Sequence, residues 1–306
     1  MNEYSKGSKA NKAFSRDDIF LQYGSQCIDI ENFEFIDGVT TLDRIIPNKL
    51  IFLDSFSDQS HKAISAAEDS GCLFILPREY KDNLSVPRII TDYPREIYSE
   101  ITIMLFDYFE KFIYQSEIIS TNARIDESSK IMSNVFISDD VTIGKDCLIM
   151  PNVVIGPKTY IGDNVIIKSN TVISQPGFGV YESSNGKREH LPHVGGVVIE
   201  NNVELGALNT VVAGTIHPTV IKDYVKTDDH VHIAHNDYIG SRSQLAAHTL
   251  LSGSVTTGEN VWFGPNCSVI DHVSIGNNVV IGIAANVIDS IEDNVTVVGN
   301  PARNLK

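Results

Sequence analysis

The sequence lacks the features that mark several common classes of protein. Its four cysteines show no Cys-x-x-Cys spacing, no apolar run is long enough to span a membrane, and the polar start is unlike a secretory signal. Positive charge is also scarce, since 24 Lys and Arg face 39 Asp and Glu for a net charge of −15. We therefore expect a cytoplasmic protein with reduced thiols, which binds neither a nucleic-acid backbone nor an anionic membrane surface.

The first part of the chain has the pattern of a small α/β domain. Residues 1–14 are polar and are expected to be poorly ordered, and the domain is predicted to cover residues 15–116. Short apolar runs predict strands, and stretches with helical spacing predict helices. The predicted strands are 33–39, 50–53 and 72–76, and the predicted helices are 61–70 and 94–112.

A six-residue repeat dominates the rest of the chain. Isoleucine occupies nine successive sixth positions from Ile125 to Ile173, and after an interruption the repeat resumes as far as Val287. Such hexapeptides predict a mainly β fold, the left-handed parallel β-helix, in which three hexads form one triangular coil. The repeat predicts about eight coils over residues 117–298, followed by a C-terminal tail at 299–306.

Each position of the hexad has a predicted role. The large aliphatic residue should fill the interior of the coil, and the small residue four positions later should fit beside it. The glycine that often follows the aliphatic residue should give the backbone its freedom at the corner. Cys147 and Cys267 fall on interior positions, so we expect both thiols to be buried and inert.

Two interruptions of the repeat, at 174–198 and 213–220, come just before a histidine-rich segment at 230–240. Insertions into a β-helix form loops on one face, so we expect a site in this region. His235 should face outward at a turn, and Gly253 follows it by one coil of eighteen residues.

His235 and Gly253 together suit acyl transfer. A histidine can remove the proton of an attacking amine, and a backbone N–H can stabilise the oxyanion of the tetrahedral intermediate. His272, one residue beyond the next coil, would extend the same edge. The alternatives are a surface histidine with only a structural hydrogen bond, and a simple corner glycine.

At these residues the sequence resembles the bacterial N-acyltransferases that act on UDP-3-O-hydroxyacyl-glucosamine in lipid A synthesis. The resemblance rests on residues 36–55, 177–214 and 232–240. It implies that His235 is the general base, that the Gly253 N–H is the oxyanion donor, and that His272 is a further active-site histidine. It also implies a nucleotide-binding first domain, and a homotrimer with sites between its subunits.

The resemblance and the positions of other residues suggest further contacts. Phe52 or Phe56 would stack on the nucleotide base. Gly282 and Ala284 would receive the pantetheine arm through backbone N–H groups, and Arg303 would meet a phosphate unless it is only a solvated tail charge. No metal is expected. The remaining candidate substrate contacts are Phe178, His190, His193, Asn209, His230 and Asn236.

Two departures from the family change the expected substrate and donor. The family's uracil pocket has an aromatic residue, an asparagine and a tyrosine at three-residue intervals, whereas here Phe52 is followed by Ser55 and Asp58. Residues 297–306 resemble coenzyme A-dependent acetyltransferases of nucleotide-linked amino sugars rather than the family's helical extension. We therefore expect transfer from an acyl-coenzyme A to a dTDP- or UDP-linked amino or dideoxyamino sugar, for a surface polysaccharide such as an O-antigen or for a glycoprotein. The alternative is the lipid A enzyme itself, with acyl carrier protein as the donor.

Two other classes stay open. A γ-type zinc carbonic anhydrase shares the β-helix, and its ligand spacing is matched by His230 and His235, with His193 upstream. However, His193 lies in an insertion rather than on a coil, which disfavours a fixed three-histidine geometry. A non-catalytic β-helix scaffold would not need a cluster of histidines beside two insertions.

Overall fold

The computed structural model describes residues 8–31, 33–80, 84–109 and 118–305. Across these ranges, no helix is long and apolar enough to cross a membrane. The chain forms two compact units. The first contains the described parts of Met1–Tyr114 together with Phe178–Val194, and the second contains those of Gln115–Gly177 and Gly195–Lys306. The predicted boundary at residue 116 therefore missed the second segment of the first unit.

The first unit is a mixed β-sheet with helices and a separate hairpin. Its strands are β1 (Ser8–Ser15), β2 (Cys27–Ile28), β3 (Phe35–Val39), β4 (Leu50–Phe52), β5 (Leu73–Leu76) and β6 (Arg88–Ile90), and the hairpin is β16 (Val180–Glu182) with β17 (Arg188–His190). Its helices are α1 (Arg16–Tyr23), α2 (Asp58–Ser65) and α3 (Pro94–Phe106), with short 3-10 helices at Gly24–Gln26, Leu42–Arg44, Glu68–Ser70 and Arg78–Tyr80. The sheet order is β1-β3-β4-β5-β6-β2, with β3 to β6 parallel and both outer strands antiparallel.

The predicted strands and helices of this unit are present, with shifted ends. Strands β3, β4 and β5 form within the three predicted runs because their apolar side chains are buried in the core. Residues 8–14, expected to be poorly ordered, instead belong to β1, which pairs with β3. The second helix ends at Ser65, and the third ends at Phe106, where Asp107 takes a left-handed conformation. Residues 110–112 of the predicted third helix lie outside the described residues.

The second unit is a parallel β-helix with three faces. Face A contains β7 (Arg124–Ile125), β10 (Thr142–Ile143), β13 (Thr159–Ile161), β18 (Val197–Ile199), β21 (Thr219–Ile221), β24 (Tyr238–Ile239), β27 (Thr256–Thr257) and β30 (Ser274–Ile275). Face B contains β8 (Lys130–Ile131), β11 (Leu148–Ile149), β14 (Ile166–Ile167), β19 (Glu204–Leu205), β22 (Lys226–Thr227), β25 (Gln244–Leu245), β28 (Trp262–Phe263), β31 (Val280–Ile281), β33 (Thr296–Val298) and β34 (Arg303–Asn304). Face C contains β9 (Phe136–Ile137), β12 (Val154–Ile155), β15 (Val172–Gln175), β20 (Thr210–Val212), β23 (His232–Ile233), β26 (Leu250–Leu251), β29 (Ser268–Val269) and β32 (Asn286–Val287).

The aliphatic residues of the hexads form one continuous core along the β-helix. Cys147 and Cys267 belong to this core, as predicted, and burial raises the pKa of the Cys267 thiol to about 11. The stack is longer than the predicted eight coils. Bridges at Ile119 and Ile291 and the extra strand β33 extend it at its two ends.

The corners need a left-handed backbone residue, but not at the predicted glycine. The residue three positions after the aliphatic one has φ near +60° in most coils, and it is often Asn or Asp, such as Asn134 (φ 58°) and Asp140 (φ 54°). Gly240, directly after its isoleucine, has another role. A Cβ there would lie 2.0 Å from the carbonyl oxygen of Gly258 in the next coil. The prediction that this glycine frees the corner was wrong, because its task is to let stacked coils approach.

Candidate functional site

One edge of the β-helix, between faces C and A, brings together four predicted residues, His235, Asn236, Gly253 and His272. We call it the histidine edge and define it by residues 234–237, 253–255 and 271–272. Successive coils are joined there by backbone hydrogen bonds, from Ser254 N–H to the His235 carbonyl at 2.9 Å and from His272 N–H to the Gly253 carbonyl at 3.1 Å. Both interruptions of the repeat also leave from a face C strand and return to a face A strand, so they interrupt this same edge.

The imidazole of His235 lies directly against Gly253. A Cβ on Gly253 would be 2.4 Å from Cε1 of His235 and 2.8 Å from each ring nitrogen. Real Cβ atoms do not approach other atoms so closely, so only glycine leaves space for the ring in this position. The stacking that the eighteen-residue spacing predicted is therefore present.

The N–H of Gly253 lacks the side-chain acceptor that binds an equivalent N–H group elsewhere in the β-helix. At the equivalent position of another coil, the N–H of Lys145 donates to the carboxylate of Asp163, eighteen residues later, at 2.7 Å. Asp271 holds the matching position after Gly253, yet among the described residues no hydrogen bond engages the Gly253 N–H. The carboxylate of Asp271 lies instead 3.8 Å from Nε2 of His272. A buried N–H group without an acceptor is uncommon in folded proteins. The Gly253 N–H is therefore suited to donate a hydrogen bond to an oxygen atom of a bound ligand.

The second interruption reaches the histidine edge through Asn236. Oδ1 of Asn236 accepts hydrogen bonds from the backbone N–H of Thr215 at 2.8 Å and from its hydroxyl at 3.0 Å. Nδ2 of Asn236 lies 3.1 Å from Nδ1 of His235. Asn236, predicted to contact substrate, thus supports the histidine. Thr215 was not predicted from the sequence, because it lies in an insertion outside the hexad repeat.

The surroundings of His235 favour its neutral form. Burial lowers its pKa, the neighbouring His272 and His232 lower it further, and Asp271 opposes them. His232, on the outer surface of face C, places Nδ1 2.5 Å from the hydroxyl of Thr210, and burial lowers its pKa as well. Because an unperturbed histidine titrates near pH 6.5, both rings are mostly uncharged at neutral pH. A neutral ring is the form that can accept a proton.

Asp237 is buried beneath the histidine edge and was not singled out from the sequence. It takes the interior hexad position that other coils give to valine or cysteine. Its carboxyl oxygens accept the backbone N–H groups of Ala234 and Val255, each at 2.9 Å. Burial raises the pKa of Asp237 to about 8 although these two hydrogen bonds lower it. The available sequence signal was a carboxylate at an interior position.

Three other predicted residues lie on a different edge, between faces B and C. His230 stacks on His248 one coil later, with ring centroids 4.8 Å apart. Ala284 is a corner residue of the same edge, and Gly282 begins that corner. His230 and His235 stand at opposite ends of β23, so one chain does not bring them into a common site. Among the described residues, no group of three or more His, Cys, Asp or Glu side chains could hold a metal ion.

Asn209 and His193, both predicted as substrate contacts, are buried and make hydrogen bonds within the chain. Asn209 occupies an interior hexad position, where Nδ2 donates to the hydroxyl of Thr227 at 2.5 Å and Oδ1 accepts the N–H of Val231 at 2.7 Å. His193 is fully buried in the first unit, and its Nδ1 lies 2.9 Å from the carbonyl oxygen of Leu191. Neither side chain is open to a ligand in this chain.

The remaining candidates are exposed to different degrees. Phe178, 85% exposed, meets the ring of His190 edge-on beside the β16–β17 hairpin. Arg303 is exposed on β34 and lines a cavity of about 420 Å³ at the C-terminal end of the β-helix, together with Asp289 and Glu292. These acidic neighbours would oppose a bound phosphate as much as Arg303 would attract it.

Of the two predicted base-stacking residues, Phe56 is the more accessible. Phe52 is half-buried against Tyr98, with ring centroids 4.3 Å apart. Phe56 is 44% exposed and rests on Tyr80 at a centroid distance of 4.9 Å. Phe56 therefore presents the ring that a planar ligand could cover.

Comparisons with known proteins agree with this architecture. The bacterial transferase hexapeptide family (six repeats) matches residues 140–175 and 254–282. The UDP-3-O-acylglucosamine N-acyltransferase of Caulobacter sp. (strain K31) is 40% identical over 134 residues, which cover 44% of this chain and 39% of that protein. The enzyme of the same name from Wolinella succinogenes is 39% identical over 129 residues, covering 42% and 41%.

Solved structures give the same picture of the fold. The UDP-N-acetylglucosamine acyltransferase of Francisella novicida is similar with a TM-score of 0.55 and 25% identity, over 61% of this chain and 66% of that one. The matches to the curated relatives span only about two fifths of those proteins' length. The second unit of the protein is a left-handed parallel β-helix that matches the bacterial transferase hexapeptide model in part, and the chain is similar in sequence to UDP-3-O-acylglucosamine N-acyltransferases.

Proposed function

We propose that this protein is an N-acyltransferase that joins the acyl group of a thioester to the amine of a nucleotide-linked amino sugar. The observation that carries the proposal is the contact between the His235 ring and Gly253, whose N–H has no acceptor among the described residues. Support also comes from the names of the relatives, which are N-acyltransferases of an acylated UDP-glucosamine.

The chemistry needs few protein groups. The nitrogen of the neutral amine attacks the thioester carbon, the carbon–sulfur bond breaks, the amine loses one proton and the departing thiolate gains one. No covalent enzyme intermediate is required, because an amine is nucleophilic enough by itself. The Gly253 N–H would stabilise the oxyanion. His235 would either remove the proton of the amine or orient the reacting groups, and both roles need the ring at this edge.

The acceptor is proposed to be a UDP-linked, 3-O-acylated glucosamine. This was the alternative in the sequence analysis, and the names of the relatives support it better than the dideoxyamino sugar that was preferred there. A dTDP- or UDP-linked dideoxyamino sugar is the second candidate, because Ser55 and Asp58 replace the asparagine and tyrosine expected in a uracil pocket. In either case the base would cover the exposed ring of Phe56 in the first unit.

The donor is proposed to be an acyl thioester, carried by coenzyme A or by an acyl carrier protein. Its pantetheine arm is common to both carriers, so the residues of the histidine edge do not by themselves choose between them. We propose that the arm runs past Gly253 and His272 in a trimer whose subunits share the site.

The proposed function is tested by thiol release with a panel of substrates. Acetyl-coenzyme A, 3-hydroxybutyryl-coenzyme A and hydroxyacyl carrier protein are each combined with UDP-3-O-acylglucosamine and with dTDP- and UDP-linked 3-amino and 4-amino sugars. Wild type should turn over at least one pair, and His235→Ala should lose about a hundredfold or more in kcat. Asn260→Ala, at a corner between faces A and B, is the control and should stay near wild type. Wild type that is silent with every pair would refute the proposed function.

A further inference from the structure

Asn236 can meet His235 in only one orientation. Its Oδ1 accepts two hydrogen bonds from Thr215, and one of these comes from a backbone N–H, which can only donate. The amide atom that faces His235 is therefore Nδ2, and it too can only donate. Nδ1 of His235, 3.1 Å away, must be the acceptor.

This contact determines which tautomer His235 adopts. A neutral imidazole carries one proton, and the nitrogen that accepts a hydrogen bond does not hold it. We propose that Thr215 and Asn236 hold neutral His235 in the tautomer with its proton on Nε2, so that the ring meets a ligand as a hydrogen-bond donor. Thr215 is then a positioning residue, because it acts on His235 only through the amide of Asn236.

The loop that carries Thr215 is itself fixed to the β-helix. The N–H of Ala213 donates to the carbonyl of Gln175 at 3.0 Å, and the N–H of Gly214 donates to the carbonyl of Gly196 at 3.0 Å. The backbone N–H of Asn236 in turn donates to the hydroxyl of Thr219 at 3.0 Å. Hydrogen bonds to its side chain and to its backbone therefore both hold Asn236 in place. The second interruption of the repeat contributes to this arrangement, because it carries the two donor groups of Thr215.

The tautomer bears on the reaction, and this step rests on the proposed function. To act as a base at Nδ1, His235 would first have to displace Asn236, whereas Nε2 in this tautomer already carries the proton that a donor needs. A ring N–H beside the Gly253 N–H would give the histidine edge two donors for the oxyanion of the thioester. The proton of the amine would then leave with the departing thiolate, directly or through water, so that an amide and a thiol are the products.

The tautomer can be read directly by NMR, without any substrate. Ring nitrogen shifts of ¹⁵N-histidine-labelled protein at pH 8 distinguish the two neutral forms, and His235→Gln identifies the signal. Wild type should show the proton on Nε2. Asn236→Asp should move it to Nδ1, because a carboxylate accepts where the amide donated, whereas Thr215→Val keeps the backbone N–H that orients the amide and should leave the proton on Nε2. Thr210→Val, which removes the hydroxyl next to His232, is the matched control and should leave His235 unchanged.

Two results would overturn the proposal: a wild-type His235 with its proton on Nδ1, or an Asn236→Asp variant whose His235 shifts equal those of wild type. The wild-type spectrum decides even if a variant fails to fold. A wild type that shows the expected tautomer but turns over no substrate would refute the proposed function alone.

Kinetics test the donor role separately. Asn236→Asp would leave a lone pair on Nε2, so kcat should fall about a hundredfold with KM changed only a few-fold. A kcat equal to or above that of wild type would refute the donor role and restore His235 as the base.

Discussion

Replacing Gly253 with alanine tests the geometry of the histidine edge most directly. The new Cβ would lie 2.4 Å from Cε1 of His235, and an ordinary contact begins near 3.4 Å, so the ring must move by about 1 Å. The three nearest atoms all belong to the side chain of His235 and φ of Gly253 is not in the left-handed region, so the backbone can stay in place while the ring moves. A shift of about 1 Å in a catalytic group can lower the rate about a hundredfold.

We therefore expect Gly253→Ala to lose about a hundredfold in kcat in the thiol-release assay, while its melting temperature by circular dichroism stays close to that of wild type. Gly24→Ala, in the first unit, is the matched control, because the atoms nearest to its Cβ would be those of the Phe20 ring, at 3.3 Å or more. If Gly253→Ala kept kcat within twofold of wild type, the ring of His235 would not be held against this glycine during catalysis, and the reasoning would fail.

Three further predictions concern pH and buried polar groups. The surroundings of His235 lower its pKa and protonation of Nδ1 would break the contact with Asn236, so the decline in kcat/KM that belongs to His235 should come below about pH 6.5, separate from the decline caused by protonation of the amine, as a pH–rate profile would show. With the pKa of Asp237 raised to about 8, the folded state keeps a proton that the unfolded chain releases near pH 4, so the free energy of unfolding should fall between these values by up to about 1.4 kcal/mol per pH unit. Urea titrations at several pH values should show this slope, and Asp237→Asn should lack it. Asn209→Ala should lower the free energy of unfolding by about 1–3 kcal/mol, because it leaves the buried N–H of Val231 without an acceptor, and Gln244→Ala, at an exposed position of β25, should change it by less than about 0.5 kcal/mol.

The β-helix could be predicted from the sequence because its physical cause is local and periodic. Each hexad buries one aliphatic side chain, so an aliphatic residue is needed at every sixth position. The isoleucines from Ile125 to Ile173 therefore predict the coil without any knowledge of distant contacts. The spacing of eighteen residues between His235 and Gly253 then follows from the coil itself. This explains why these two residues could be paired in advance.

The supporting contacts could not be predicted, because they join parts of the chain that no repeat relates. Thr215 lies in an insertion outside the hexad count, and its partner Asn236 is an ordinary corner asparagine in sequence. Asn209 was predicted as a substrate contact because a polar residue beside a site suggests function, and the structure places its side chain inside the coil, where it accepts the N–H of Val231. The sequence also did not predict that Ser8–Ser15 forms a strand. The composition of this segment is polar, and the strand forms through its pairing with β3.

The first unit has a consequence for protein engineering and for evolution by recombination. Its hairpin, β16–β17, is encoded inside the β-helix, and Ser184 beside the hairpin donates its N–H and hydroxyl to the carboxylate of Glu96 on α3 at 2.9 and 3.0 Å. A fragment that stops at residue 116 would lack the hairpin, and α3 would lose these contacts. A gene exchange that replaced only the N-terminal segment would combine α3 of one protein with the β16–β17 hairpin of another. The two chain segments of the first unit therefore have to be inherited together, or exchanged at two places in the gene at once.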